Sequence, residues 1–187
     1  MRLSARHKVL FHLAIAVLLF FAACLQPSLC RAFGVEETRF GLLYHDVGIW
    51  GGSSQEGGTD INGELIFSAA APLLAGVIRP NLGVSVNTSG GTSKLYMGGF
   101  WQYRWQGPWF VDLGLSLAIH NGETRSEPAS EMNQLGSRIL FRLSCEAGFS
   151  LTEHHQLSLL FDHMSNAYLA DPNEGLDTLG LRYGYRF

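Results

Sequence analysis

The chain has 187 residues, 13 of them basic and 16 acidic, and 47% of it is hydrophobic. Residues 1–32 read as a cleaved signal peptide. Arg2, Arg6 and Lys8 form a basic n-region, residues 9–23 an apolar h-region, and Cys30-Arg31-Ala32 a small-x-small cleavage site. Removing this leader takes four basic residues with it and leaves 33–187 with nine basic against sixteen acidic side chains, a net −7 that argues against a nucleic-acid partner. A lipoprotein cut before Cys24 is disfavoured, because Phe21 stands where a lipobox wants an aliphatic residue. Cys145 is then the one cysteine of the mature chain, which excludes an intrachain disulfide framework. After the leader the longest apolar run, 65–78, is broken by Ser68 and Pro72 and is too short to span a bilayer as a helix. Any membrane crossing must therefore be made by a closed barrel, which alone satisfies strand backbones in lipid.

Eight strands are predicted, at 37–47, 60–69, 78–88, 93–105, 108–119, 137–149, 154–165 and 177–187. Alternation is clearest in the later ones. Leu95, Met97, Trp101, Tyr103 and Trp105 share one parity, with Lys94, Gln102 and Arg104 on the other. Trp109, Val111, Leu113, Leu115, Leu117 and Ile119 interleave with Asp112, Gly114 and Ser116. Ile139, Phe141, Leu143, Cys145, Ala147 and Phe149 alternate with Arg138, Arg142, Ser144 and Glu146. Leu179, Leu181, Tyr183, Tyr185 and Phe187 alternate with Arg182, Gly184 and Arg186. Segments of about ten residues with one apolar and one charged face fit transmembrane strands, and Trp50, Trp105, Trp109, Tyr183 and Tyr185 fall at strand ends, where aromatic girdles sit. The predicted fold is all-β, an eight-stranded antiparallel transmembrane β-barrel over 33–187.

An even strand number puts both ends of the barrel chain on the periplasmic side and connections 1–2, 3–4, 5–6 and 7–8 outside. Residues 51–59, 121–135 and 166–176 are long and polar, as outer loops should be, whereas 106–108 and 150–153 are short. The connection at 70–76 is apolar and longer than this pattern predicts. Cys145 has the parity of an apolar wall residue.

The common hydrolase signatures are missing: there is no G-x-S-x-G elbow, no H-E-x-x-H and no phosphate-binding glycine loop. His154 and His155 are adjacent, point to opposite faces of a strand and cannot chelate one metal together. The informative stretch is Asp162-His163-Met164-Ser165-Asn166-Ala167, followed by Pro172-Asn173-Glu174-Gly175-Leu176-Asp177. His163 and Ser165 continue the outward parity of Leu157, Leu159 and Phe161, and Asp177 has the parity of Leu179 and Leu181. A nucleophile, a base and an acid thus lie on the outer wall, where polar side chains are costly except near the interface. An i, i+2 pair on a strand lies about 7 Å apart at Cα, and opposed residues on paired strands about 5 Å apart at Cβ. His163 can therefore serve Ser165 while Asp177 orients the imidazole, the order of a serine hydrolase. Asn166, or a backbone N–H near Ala167, is the expected oxyanion donor.

The run from His163 to Gly175 resembles the PagL-type lipid A 3-O-deacylases, the acyloxyacyl hydrolase family, which carry H-x-S-N-A and then P-N-x-G near the C-terminus. Here the matching residues are His163, Ser165, Asn166 and Ala167, then Pro172, Asn173 and Gly175. The resemblance implies an eight-stranded outer-membrane barrel with a Ser-His-Glu triad on its lipid-facing wall. It further implies release of a 3-hydroxy fatty acid from lipid A in the outer leaflet, with no metal and no cofactor. The family's acid is usually a Glu two residues after the motif glycine. Asp177 stands there instead, one methylene shorter, and Glu174 is the alternative acid. The expected partners are lipid A or lipopolysaccharide and the outer membrane, with a homodimer left open. Two rival readings remain: a non-catalytic barrel with a structural or surface-binding role, and a lipid A acyltransferase of similar size.

Overall fold

The structure, a computed structural model, describes residues 33–50, 54–126 and 130–187, so the predicted leader lies outside the described residues. The strands are β1 (Val35–His45), β2 (Thr59–Phe67), β3 (Ala71–Leu73), β4 (Gly76–Asn87), β5 (Lys94–Arg104), β6 (Trp109–His120), β7 (Ile139–Ser150), β8 (His155–Ser165) and β9 (Leu176–Arg186). Eight of them close a ring. β1 pairs with β2 and with β9, β2 pairs with β4, and β4 to β9 pair each with the next, all antiparallel. Closure gives each of these eight strands a partner on both sides, which is what a sheet in lipid requires.

The ninth strand, β3, is the apolar connection that the alternation did not explain. Ala71, Pro72 and Leu73 fold back on Ile78, Val77 and Gly76, and the Trp101 indole donates to Leu73 O at 3.0 Å. β3 lies along the same edge of β4 that β2 uses higher up, so the hairpin continues the wall below β2.

Period-two alternation sorts the side chains as the sequence predicts. Leu42, Met97, Leu115, Leu159 and Leu181 are among the large apolar residues exposed on the outer wall, at 50–70% of full exposure, which fits a lipid-facing belt. The inward row is charged and paired. Arg39 donates to Glu37, to Asp112 at 2.7 Å and to Glu146 at 2.6 Å. Asp162 accepts from Lys94 and from Arg142 at 2.9 and 3.1 Å, and Arg182 donates to Glu64. The lumen is therefore a packed ion-pair core. Arg39→Met would leave three carboxylates short of a partner in a site shut off from water, and should cost about 3–5 kcal/mol. A large fall in the urea midpoint of the folded barrel would report that loss, and an unchanged midpoint would contradict it.

The start of β1 and the end of β9 share one rim with the 105–108 and 151–154 turns, as Arg186 pairing with Glu37 and donating its N–H to His154 O shows. The other rim carries the described residues of the loops at 46–58, 88–93, 121–138 and 166–175. Leu135 descends from the 121–138 loop into a buried cluster with Tyr96, Ala118, Leu140, Met164 and Leu176, which caps the lumen. Glu56 knots three loops together. Its carboxylate accepts from His45 Nε2 at 3.0 Å, Thr92 Oγ1 at 2.8 Å, Asn133 N at 3.0 Å and Thr92 N. Burial alone would raise the Glu56 carboxyl, but the hydrogen bonds from His45, Thr92 and Asn133 outweigh it and hold the group below the usual carboxylate range.

Candidate active site on the outer wall

His163 lies directly opposite Asp177 in the β8–β9 register, and its Nδ1 meets Asp177 Oδ1 at 2.6 Å. That distance is what a charge-assisted pair shows, so the shorter aspartate arm reaches because the two residues face each other across paired strands. A carboxylate can only accept, so Nδ1 carries the proton and Nε2 is left as the basic nitrogen. Ser165 follows on the same face two residues along β8, paired with Phe141 of β7, and is half-buried. Its hydroxyl has no hydrogen bond among the described residues, so it is free to turn towards the imidazole.

All three side chains have outward parity, but they do not all face the hydrocarbon openly. Asp177 is 0% and His163 8% exposed, because residues 46–50 leave β1 and fold down over them. Val47 N donates to Asp177 O at 3.0 Å, and Trp50 N donates to Asp177 Oδ2. The Trp50 indole lies over the imidazole, with ring centroids 4.9 Å apart and planes 27° apart. Trp50 is therefore no simple girdle residue. Nothing in the alternation marks it, since irregular backbone at Asp46 (φ 53°) and Gly48 (φ 61°) delivers it.

Asn166 is not free to donate to an oxyanion. Its Nδ2 donates to Leu135 O at 3.0 Å and to Pro172 O at 2.8 Å, and its backbone N–H donates to Asn173 Oδ1 at 3.0 Å. Two carbonyl acceptors also fix which way the amide points. Asn166 and Asn173 instead hold the turn after Ser165 against the 121–138 loop. In that turn Leu169 N donates to Asn166 O at 3.1 Å, with Ala167 at φ 54° and Tyr168 at φ 61°. Two successive left-handed residues make a type I′ turn, which alanine and tyrosine adopt only under strain. The Ala167 N–H has no acceptor among the described residues, and it is the remaining donor beside Ser165.

Glu174 is likewise engaged elsewhere. Its carboxylate accepts from Gln134 N at 2.6 Å, and its own N–H donates to Gln134 O at 3.2 Å, so it staples the two loops instead of reaching the imidazole. Gly136 sits in this contact at φ 69°, where a Cβ would collide with Pro172 O. Among the described residues no group of histidine, cysteine, aspartate or glutamate has the arrangement of a metal site. Large apolar side chains are exposed in the loop that carries Trp50 and in the turn after the serine: Ile49 and Trp50 are 65% and 62% exposed, and Tyr168 and Leu169 are 88% and 78% exposed.

A closed antiparallel barrel with an apolar outer belt, a charged core and a Ser, His and Asp set on the outer face defines a barrel of outer-membrane type with a candidate hydrolytic site turned towards lipid. Residues 69–186 match the family model described as Lipid A 3-O-deacylase (PagL), and the chain belongs to that family. The lipid A deacylase PagL of Bordetella bronchiseptica is 27% identical over 121 residues, a match covering 59% of this chain and 62% of that protein. The crystal structure of the outer membrane enzyme PagL superimposes with a TM-score of 0.60 at 20% identity, covering 80% of this chain and 99% of that one. At this identity the structural likeness supports the fold.

Proposed function

We propose that the chain is a lipid A 3-O-deacylase of the outer membrane, a serine ester hydrolase that releases a 3-hydroxy fatty acid in the outer leaflet. Membership of the family supports the substrate. The observation that carries the reading is the outward His163–Asp177 pair, joined at 2.6 Å, with Ser165 next on the same face.

Ser165 Oγ attacks the ester carbonyl carbon as His163 Nε2 takes its proton, and Asp177 holds the imidazolium through Nδ1–H. The Ala167 N–H stabilises the oxyanion, a role worth about 3 kcal/mol per donor in other acyl-transfer enzymes. When the intermediate collapses, the C–O bond to the sugar breaks, and His163 returns the proton to the departing sugar oxygen. Water then attacks the acyl-enzyme and gives a proton to His163; the bond from the acyl carbon to Ser165 Oγ breaks as His163 returns that proton to Oγ, and the fatty acid leaves. The location suits a substrate that stays in the bilayer, because acyl chains can lie along Leu157, Leu159 and Leu181, each exposed on the wall below the site.

Mass spectrometry of lipid A from cells with and without the chain tests the reading. The expected result is the loss of one 3-hydroxyacyl group at the 3-position. Unchanged lipid A would favour a non-catalytic barrel, and an added acyl mass would favour an acyltransferase.

A further inference from the structure

We propose that Trp50 is a positioning residue for the catalytic pair, holding the His163 ring in the plane from which Nε2 serves Ser165. The proposal rests on the hydrolase reading above.

The loop has a fixed foot. Asp46 follows β1 directly, and its Oδ2 accepts from Gln55 N at 2.7 Å, Glu56 N at 2.9 Å and Asn133 Nδ2 at 2.9 Å, all at the rim of the lumen. One residue on, Val47 N is bound to Asp177 O on the strand beside it. The loop is thus pinned inside the barrel by Asp46 and outside by Asp177, and Trp50 is delivered from a rigid base.

Asp177 alone underdetermines the imidazole. One hydrogen bond to Nδ1 leaves the ring free to swing about the Nδ1···Oδ1 line, and the second torsion of histidine is a soft one. The indole face, with its centroid 4.9 Å from that of the imidazole and tilted by 27°, removes this freedom. It also helps keep His163 at 8% exposure. As Ser165 gives up its proton, the imidazole becomes a cation beneath a tryptophan face, the aromatic ring that attracts cations best. The same residue fixes the second Asp177 oxygen through its backbone N–H, a contact that side-chain substitution leaves in place.

The alternative is that Trp50, 62% exposed, serves only as a greasy anchor in lipid. Two variants separate the roles, because Trp50→Leu keeps apolar bulk without a π face and Trp50→Phe keeps the face. With refolded protein in detergent micelles and purified lipid A as substrate, Trp50→Leu should lower kcat about tenfold or more, as small misplacements of catalytic groups do. KM should stay within about twofold, and Trp50→Phe should recover most of the rate. Equal rates in the two variants, or an effect confined to KM, would overturn the proposal.

A second readout needs no turnover. In the NMR spectrum the His163 ring C–H signals, assigned with His163→Gln, should be shifted upfield by the indole. They should return downfield in Trp50→Leu and stay shifted in Trp50→Phe. Signals that do not move in Trp50→Leu would refute the stack itself. If wild-type protein leaves lipid A intact while these shifts appear, the proposed activity falls and the stacked geometry stands.

Discussion

Replacing Ser165 by alanine is expected to lower the rate of fatty-acid release from lipid A by roughly 10⁴- to 10⁶-fold, the range seen when the nucleophile of a serine hydrolase is removed. The barrel should be indifferent to the change. Ser165 is half-buried at the end of β8, and its hydroxyl holds no other group of the described residues in place. Its loss orphans no buried partner, so stability should stay within about 0.5 kcal/mol of the parent. Folding is read from the heat-dependent mobility of the barrel on a gel, and activity from free 3-hydroxy fatty acid. A Ser165→Ala protein that folds and still releases acid at a tenth of the parent rate would remove Ser165 from the mechanism.

Asp177→Asn should be nearly as damaging, for a different reason. Among the described residues, the carboxylate oxygens of Asp177 accept from His163 Nδ1–H and from Trp50 N–H. An asparagine has one acceptor oxygen to offer them. If that oxygen stays with Trp50, the amide NH₂ faces His163 Nδ1, and the ring must carry its proton on Nε2, where it cannot serve as base. The same substitution in a soluble serine protease traps the wrong tautomer and costs about 10⁴ in kcat. Glu174→Gln is the matched control. A glutamine oxygen can still accept from Gln134 N, the 2.6 Å contact that the carboxylate makes now, so the loop staple survives and the rate should change by less than about tenfold. The opposite ranking of these two variants would make Glu174 the acid.

Much of this architecture is legible in the sequence because strand geometry is periodic. A period of two places Lys94, Asp112, Arg142 and Arg182 inside and Leu95, Leu113, Leu143 and Leu181 outside without reference to neighbours, and the structure has them so. The same parity puts His163, Ser165 and Asp177 on one face, and the β8–β9 register supplies the rest of the pairing. What parity cannot give is the identity of long-range partners. That Arg39 should bind Asp112 and Glu146 depends on how far each strand is staggered round the barrel.

Irregular backbone was opaque for a related reason. Trp50 reaches His163 only because Asp46 and Gly48 take left-handed conformations, and no spacing rule encodes that path. The Asn166 side chain looks like an oxyanion donor by its place beside the serine, but the acceptors that claim it, Leu135 O and Pro172 O, come from two loops whose meeting is a tertiary event. The three-residue strand β3 escaped because three positions are too few to establish alternation.

Reaction of the refolded protein with an alkyl fluorophosphonate, followed by peptide mass spectrometry, addresses the outer-wall nucleophile most directly. One adduct on the peptide containing Ser165 is expected, with labelling lost in His163→Ala. An unlabelled Ser165 in a sample that is still cleaving lipid A, or labelling unaffected by His163→Ala, would contradict the mechanism.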